Sequence, residues 1–329
     1  MANNRISKVA IVGLTLAFYA GGNVGSFITR ALLQTGKHNV TALTRAESNA
    51  SFPDGVATKQ VDYDQPETLV EALRGQDALV ITISGMAPMK QIEEKLIRAA
   101  GEAGVSWILP NEWSPDSTHD GIVEDIFLFQ WKVAARRLIE EIGRSSYVAV
   151  VTGFWYEYSL AVPNNYGFDF ANRMATFYDE GDIEISTSTW PQVGRAVAAL
   201  LSLPLQAEAG HGGQCLSQFK NQVVFVNSFV VSQKDMLASA LRVTQSKESD
   251  WTISKKASRE QFTIGMADMK EGRKPSANFL YARIFFPGPD GGGDFEHKGT
   301  VNGLLDLPRE DLDDATKTAM ERQMAGGAR

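Results

Sequence analysis

A glycine-rich turn between an apolar strand and an amphipathic helix constrains the fold of this chain more than any other feature. Residues 8–12, KVAIV, form a continuous apolar run, and Gly13, Gly22 and Gly25 follow it. After the glycines, apolar residues recur at helical spacing. With residues 14–19 set aside, the glycines form a G-x-x-G-x-x-G pattern between a strand and a helix, which is typical of a dinucleotide-binding turn.

Glycine suits such a turn because the backbone must bend sharply and approach a phosphate closely. The free N–H groups and partial positive charge of the helix N-terminus then attract the pyrophosphate. The pattern therefore predicts nucleotide binding, and the alternative is a tight strand–helix turn that binds nothing.

Six mostly apolar residues, LTLAFY at Leu14–Tyr19, interrupt this turn. Three interpretations are open. The insert is an outward bulge, or a lid that places Phe18 or Tyr19 over the cofactor groove, or the result of an error in the gene model. Six extended residues span about 20 Å, so the insert can loop out without displacing the helix. We favour a bulge or an error over a lid.

Strands and helices alternate six times over the first 150 residues, which predicts an α/β fold with a doubly wound, Rossmann-type parallel sheet. The predicted strands are 8–12, 38–45, 56–64, 77–85, 105–110 and 147–153. We predict a dinucleotide-binding domain over residues 1–155. Residues 156–329 are less regular and predict a smaller α+β substrate lobe, partly packed back on the first domain. Its last helix is expected to begin near Pro308.

Composition excludes several other classes of protein. The net charge of −7 argues against a nucleic-acid partner or an anionic membrane surface. One cysteine and four widely spaced histidines argue against a disulfide framework or a metal site. Because no run approaches the ~18 apolar residues of a membrane span and the first apolar run is too short for a signal peptide, we expect a cytoplasmic protein.

Arg45 ends the second predicted strand, where NAD-binding domains place an acidic residue for the ribose hydroxyls. A cation there favours the 2′-phosphate of NADP, although Glu47 lies only two residues on. The prediction is therefore NADP(H), and the alternative is an exposed arginine without a ligand.

Lys132 is the candidate catalytic residue. None of the eight tyrosines is followed four residues later by lysine, and no G-x-S-x-G occurs, so two common catalytic motifs are absent. On the helix predicted over 127–143, Lys132 shares a side with the apolar Leu128, Ala135 and Ile139. Burial there would lower its pKa toward a range useful for proton transfer. The alternative is a surface lysine whose stem covers apolar surface.

Several segments together resemble the NmrA-like branch of the atypical short-chain reductases, the group that includes the isoflavone and phenylcoumaran benzylic ether reductases. The resemblance rests on VAIVG and AGGNVGS (9–26), ALTR (42–45), ITISG (81–85), ILPNEW (108–113), QWKVAARRLIEE (130–141) and STSTWPQVGRAVAALLSLP (186–204). It implies an NADP-binding domain with a small substrate lobe. It also implies that Lys132 relays a proton while NADPH delivers hydride.

The resemblance further implies roles for other residues. Those expected to hold the cofactor are Gly13, Gly22, Asn23, Val24, Gly25, Arg45, Ser84, Gly85 and Asn111. Glu112 and Trp113 are expected beside the nicotinamide, facing the substrate. Phe154, Trp155 and Tyr156 follow the sixth strand, where ligands bind in such sheets, and predict an aromatic rim for a flat, conjugated substrate. The alternative for these three aromatics is a core between the two lobes.

Two functions remain open from the sequence. The first is an NADPH-dependent reductase of a small aromatic or conjugated compound, with Lys132 as acid/base. The second is a redox-sensing regulator that binds NADP and a protein partner without turnover. The predicted partner is a small molecule, with neither nucleic acid nor membrane, and a homodimer or a regulatory protein partner stays open.

Overall fold

The computed structural model describes residues 4–13, 23–46, 52–83, 88–207, 213–273, 278–288 and 290–326. The strands are β1 (Lys8–Val12), β2 (Asn39–Thr44), β3 (Ala57–Gln60), β4 (Ala78–Ile81), β5 (Trp107–Leu109), β6 (Ser146–Val151), β7 (Phe154–Trp155), β8 (Phe168–Asp169), β9 (Met174–Tyr178), β10 (Ile185–Ser188), β11 (Gln222–Phe225), β12 (Phe229–Val231) and β13 (Thr252–Lys256). The helices are α1 (Asn23–Gln34), α2 (Pro66–Leu73), α3 (Met89–Ala103), α4 (Asp120–Asp125), α5 (Phe127–Ile142), α6 (Tyr156–Ala161), α7 (Pro163–Tyr166), α8 (Trp190–Ser202), α9 (Gln233–Thr244), α10 (Ser258–Lys270), α11 (Asn278–Ile284) and α12 (Leu312–Met324).

The large sheet has seven parallel strands in the order β11-β6-β5-β4-β1-β2-β3. Its central strands β1 and β4 are buried almost throughout, because helices cover both faces, and their sequences are correspondingly apolar. The strand order reverses between β1 and β4, and ligands of such sheets bind in the crevice at the carboxyl ends of the strands there. The predicted doubly wound α/β fold is confirmed.

The second half of the chain builds two small three-stranded sheets, β12-β10-β7 and β13-β9-β8. Their shared core is rich in aromatic side chains that are fully or almost fully buried, including Tyr156, Tyr166, Phe168 and Phe285. The α+β character predicted for this half is therefore confirmed. β11 nevertheless joins the large sheet beside β6, and α8 packs against α1. The domain division at residues 155/156 stays a prediction.

The last helix begins four residues later than the sequence predicted. Pro308 does not open it; the side chain of Asp311 accepts hydrogen bonds from the N–H groups of Asp313 and Asp314 and caps α12 at Leu312. A capping carboxylate satisfies otherwise unpaired N–H groups of the first turn, so it determines the start more strongly than a nearby proline.

Two absences apply to the described residues alone. No helix among them combines the length and apolar character needed to cross a bilayer. No cluster of three or more histidine, cysteine or acidic side chains in these ranges could hold a metal ion. A cytoplasmic location stays a prediction.

Candidate active site

The crevice between β1 and β4 opens where the glycine-rich turn begins. Gly13 follows β1 with φ of +94°, and a Cβ atom placed on it would lie 2.1 Å from the main-chain oxygen of Thr82. Only glycine fits this close approach of the two strand ends. Val24, in the first turn of α1, is buried and lines the cavity described below, and Gly25 lies beside it in the same turn.

Part of the predicted cofactor site lies outside the described residues. This holds for Gly22, Ser84, Gly85 and the insert Leu14–Tyr19, so the bulge, lid and gene-model alternatives stay open. Arg45 is described; it is exposed just beyond β2. Its positive charge acts on Tyr63, although burial outweighs it and raises the pKa of that phenol.

The turn after β5 is held by hydrogen bonds from three directions. The Asn111 N–H donates to Glu93 Oε1 at 2.7 Å, and Asn111 Nδ2 donates to the main-chain oxygen of Ile83 at 3.1 Å. Trp113 Nε1 donates to the main-chain oxygen of Ile81 at 2.7 Å. These bonds fix the predicted residues Asn111 and Trp113 at the carboxyl end of β4, and both line the cavity.

Lys132 projects from α5 against this turn. Its Nζ donates to the main-chain oxygens of Asn111 at 2.7 Å and Glu112 at 3.0 Å. Burial lowers the pKa of Lys132; the Glu112 and Glu93 carboxylates partly offset this effect, and the charge of Arg136 adds to it. The ammonium is thus oriented by two carbonyl groups and loses its proton more readily than a surface lysine.

Glu112 does not face the cavity, in contrast to the prediction. Its side chain is fully buried, and Oε2 accepts a hydrogen bond from Arg136 Nη1 at 2.8 Å. Arg136 also donates to the hydroxyl and main-chain oxygens of Ser117. The carboxylate points away because this buried guanidinium on α5 is its partner, and it anchors the turn instead.

Glu93 is the residue that sequence reasoning missed. It lies on α3, is 6% exposed and lines the cavity. Burial raises its pKa to about 7, against the opposing effects of the Asn111 N–H and the Lys132 charge. A signal was available, since Glu93 occupies the same helical face as the buried Leu96, Ile97 and Ala100. A charge on a core-facing stripe is unusual enough to mark a site.

A cavity of about 660 Å³ lies between these polar groups and a set of aromatic rings. We call Glu93, Asn111 and Lys132 the polar wall. We call the aromatic wall the six rings of Phe127, Trp131, Phe154, Trp155, Tyr158 and Phe279, all of which line the cavity. The predicted residues Phe154 and Trp155 are thus brought to the site.

The structure does not bring Tyr156 to the cavity. Its side chain is fully buried in the core of the second half of the chain, and its hydroxyl forms a 2.7 Å hydrogen bond with Thr316 Oγ1. The reason is local, because β7 ends at Trp155 and α6 begins at Tyr156, so the next side chain turns into the lobe core. Tyr158, which was not among the predicted site residues, lies in the aromatic wall instead.

Such an arrangement can hold a flat apolar molecule against a partly desolvated amine. The volume matches that of small-molecule sites, which are mostly apolar with few polar groups. A lysine with a lowered pKa can exchange a proton with a bound molecule.

Comparison with known proteins agrees with this geometry. The sequence model of the NmrA-like family matches residues 7–177. A relative along almost the whole chain is oxidoreductase aprR of Aspergillus flavus, 28% identical over 322 residues, which cover 95% of this chain and 99% of that protein. It supports the predicted enzyme class, an oxidoreductase.

Two solved structures share the fold. One is AtPrR2 with NADP⁺ and (+)pinoresinol, with a TM-score of 0.69 at 17% identity, covering 95% of this chain and 98% of that chain. The other is the NADPH-dependent quinone oxidoreductase QOR2 of Escherichia coli, with a TM-score of 0.67 at 19% identity, covering 94% and 98%. Since the family model spans more than half of its residues, this chain belongs to the NmrA-like family.

Proposed function

We propose that this protein is an NADPH-dependent reductase of a small aromatic or conjugated compound. The observation that carries the proposal is the juxtaposition of the Lys132 ammonium with an apolar cavity at the carboxyl ends of the central strands. A regulator that only binds a dinucleotide has no need of a desolvated amine beside an aromatic cavity. The full-length likeness to an oxidoreductase supports the same choice.

The residues of the β1–β4 crevice fit a dinucleotide. The N-terminus of α1, with Asn23, Val24 and Gly25, would receive the pyrophosphate, because free N–H groups and the helix dipole favour an anion there. Arg45 would receive the 2′-phosphate and Asn111 would border the nicotinamide. NADPH, when bound, supplies the hydride.

We assign to Lys132 the transfer of a proton to the substrate. Its two carbonyl acceptors fix Nζ at the cavity wall, and burial keeps its proton affinity below that of a free lysine. A proton held at this position can pass to an oxygen or carbon of the substrate as that atom gains negative charge. The amine would regain its proton from solvent through the cavity mouth.

We assign to the aromatic wall the binding of the substrate. Stacked and edge-on rings favour a flat conjugated molecule, and Phe154 and Tyr281 already stack with centroids 4.2 Å apart, which stiffens that wall from behind. Phe127 and Trp131, also in the aromatic wall, meet edge to face with ring centroids 4.8 Å apart.

The first test is cofactor choice, measured by quenching of intrinsic tryptophan fluorescence with NADPH and NADH. We expect NADPH to bind more tightly, and Arg45→Glu to weaken NADPH about tenfold or more while leaving NADH nearly unchanged. Arg137→Glu, on the exposed side of α5, is the matched control. Equal affinity for both cofactors in the unmodified protein would contradict the assignment of Arg45.

The second test is turnover. NADPH oxidation is followed across a panel of quinones, aromatic enones and benzylic ethers. Oxidation that depends on one compound class supports a reductase. Tight NADPH binding without turnover across the panel would favour the regulator, and a protein partner would then be sought.

A further inference from the structure

We propose that Glu93 is a positioning residue for Lys132: its buried carboxylate holds the Asn111 turn against the amine, and its negative charge acts on the ammonium group. The inference rests on the proposed function for its meaning in catalysis. The interaction itself can be measured without any substrate.

The geometry places the two groups on opposite ends of one residue. Glu93 Oε1 accepts the Asn111 N–H at 2.7 Å, while Lys132 Nζ donates to the Asn111 main-chain oxygen at 2.7 Å. Glu93 comes from α3 and Lys132 from α5, so the turn is clamped between two helices that pack against each other. Any movement of the carboxylate would shift the carbonyl group that orients the amine.

Burying a carboxylate on the apolar face of α3 costs free energy, and an amide or apolar residue would avoid that cost. The charges that face it come from each neighbouring element. Lys132 on α5 attracts it, whereas Glu112 in the turn and Glu94 on its own helix repel it. Arg136 acts on Lys132 from α5. Lys132 is therefore the cation whose charge attracts the Glu93 carboxylate.

The ionisation of Glu93 falls in a useful range. Burial raises its pKa to about 7, so its charge changes near neutral pH, and the Glu93 and Glu112 charges raise the pKa of Lys132 against the effect of burial. When Glu93 is ionised, Lys132 holds its proton more tightly. When Glu93 is protonated, that support is lost and the amine releases its proton more easily.

The experiment is trace acetylation of the whole protein with acetic anhydride, which reacts with unprotonated amines, followed by mass spectrometry of each lysine-containing peptide. Glu93→Gln keeps an oxygen for the Asn111 N–H and removes the charge. At about pH 8 we expect Lys132 in this variant to react on the order of tenfold faster, because loss of the neighbouring negative charge lowers the pKa of its amine. Glu94→Gln, a half-buried neighbour on the same helix, should change the rate less than about twofold.

An unchanged rate at Lys132 in folded Glu93→Gln would overturn the proposal. The pH dependence provides a second measurement. Between about pH 6 and pH 8 the logarithm of the Lys132 rate should rise less steeply with pH in the unmodified protein than in Glu93→Gln, because only the unmodified protein has a carboxyl group at this position that ionises over this range. Parallel slopes would overturn the proposal equally. Neither readout involves turnover, so failure of the reductase assignment would be seen separately.

Discussion

The two walls of the cavity are anchored in opposite ways. Behind the polar wall, the buried Glu112 carboxylate pairs directly with Arg136. Behind the aromatic wall, Oε1 of the buried Glu157 accepts a hydrogen bond from the main-chain N–H of Trp190 at 2.8 Å. Its Oε2 has no hydrogen-bond partner among the described residues. One buried carboxylate therefore has a cation that compensates its charge, and the other keeps a pKa raised by burial to about 7.

This difference matches the roles proposed for the two walls, proton transfer for the polar wall and substrate binding for the aromatic wall. A paired charge and several hydrogen bonds hold the polar wall in one geometry, as proton transfer at a fixed atom requires. The aromatic wall depends on ring packing, including the tilted contact of Trp155 with Trp190 at 5.9 Å. Apolar packing tolerates changes of shape better than a buried charge tolerates loss of its partner. Substitutions in the two walls should therefore affect different measurements.

The largest effect is expected at Lys132. We expect Lys132→Met to lower the rate of substrate-dependent NADPH oxidation by about 100-fold or more, because positioned acid–base groups contribute about 10²–10⁴. NADPH affinity by fluorescence should change little. Lys90→Met, which removes another cavity-lining but exposed lysine, is the control. Equal losses in both variants would remove Lys132 from the mechanism.

Next is the pair behind the polar wall. Glu112→Gln leaves Arg136 buried without a compensating charge, and we expect the free energy of unfolding to fall by about 3 kcal/mol in urea denaturation. Glu71→Gln breaks an exposed pair with Arg74 and should change it by less than about 0.5 kcal/mol. If the two losses were similar, the buried pair would not be the anchor of this wall.

Glu157 should affect stability in the opposite way to Glu112, because the folded state is less stable when the Glu157 carboxyl is ionised. Burial raises the pKa of Glu157 from an ordinary 4.5, as expected in the unfolded chain, to about 7 in the folded protein. The folded state therefore binds more protons between these values, and stability falls as pH rises through this window. We expect Glu157→Gln to weaken this fall by on the order of 1–3 kcal/mol between about pH 5 and pH 8. Identical pH profiles of unfolding for variant and unmodified protein would refute the assignment.

The smallest effect is expected in the aromatic wall itself. Trp131→Leu removes one ring from the cavity and should raise KM about fivefold to tenfold, roughly 1 kcal/mol of lost contact, with kcat nearly unchanged. Gln130→Leu, the exposed neighbour on the same helix, should leave both constants unaltered. A fall in kcat without a rise in KM would place Trp131 in the chemistry rather than in binding.

The sequence predicted the parallel sheet well because its signals are local. The strands from β1 to β6 are rich in apolar residues, apart from the polar edge strand β3, and helices with apolar residues at helical spacing follow β1, β3, β4 and β5. The second half depends on pairing between distant segments, such as Met174 of β9 with Thr252 of β13, which no local pattern specifies.

Prediction of the site succeeded and failed for equally specific reasons. Lys132 and Asn111, both predicted as site residues, lie together, and their roles stay predictions. The adjacency of Phe154, Trp155 and Tyr156 in the sequence predicts that all three face the site, but the change from strand to helix turns the third side chain away. Glu93 required attention to a charge within an apolar stripe, which a search for motifs does not detect.

The position of β11 has a consequence for experiments on parts of this protein. β11 pairs with β6 through Gln222–Phe225, so a fragment that ended at residue 155 would leave the backbone N–H and C=O groups of β6 unpaired along a long hydrophobic edge. Exposed edges of this kind promote aggregation. We therefore expect residues 1–155 to aggregate when they are produced alone, and a truncated or chimeric version should retain the segment Gln222–Phe225 that pairs with β6.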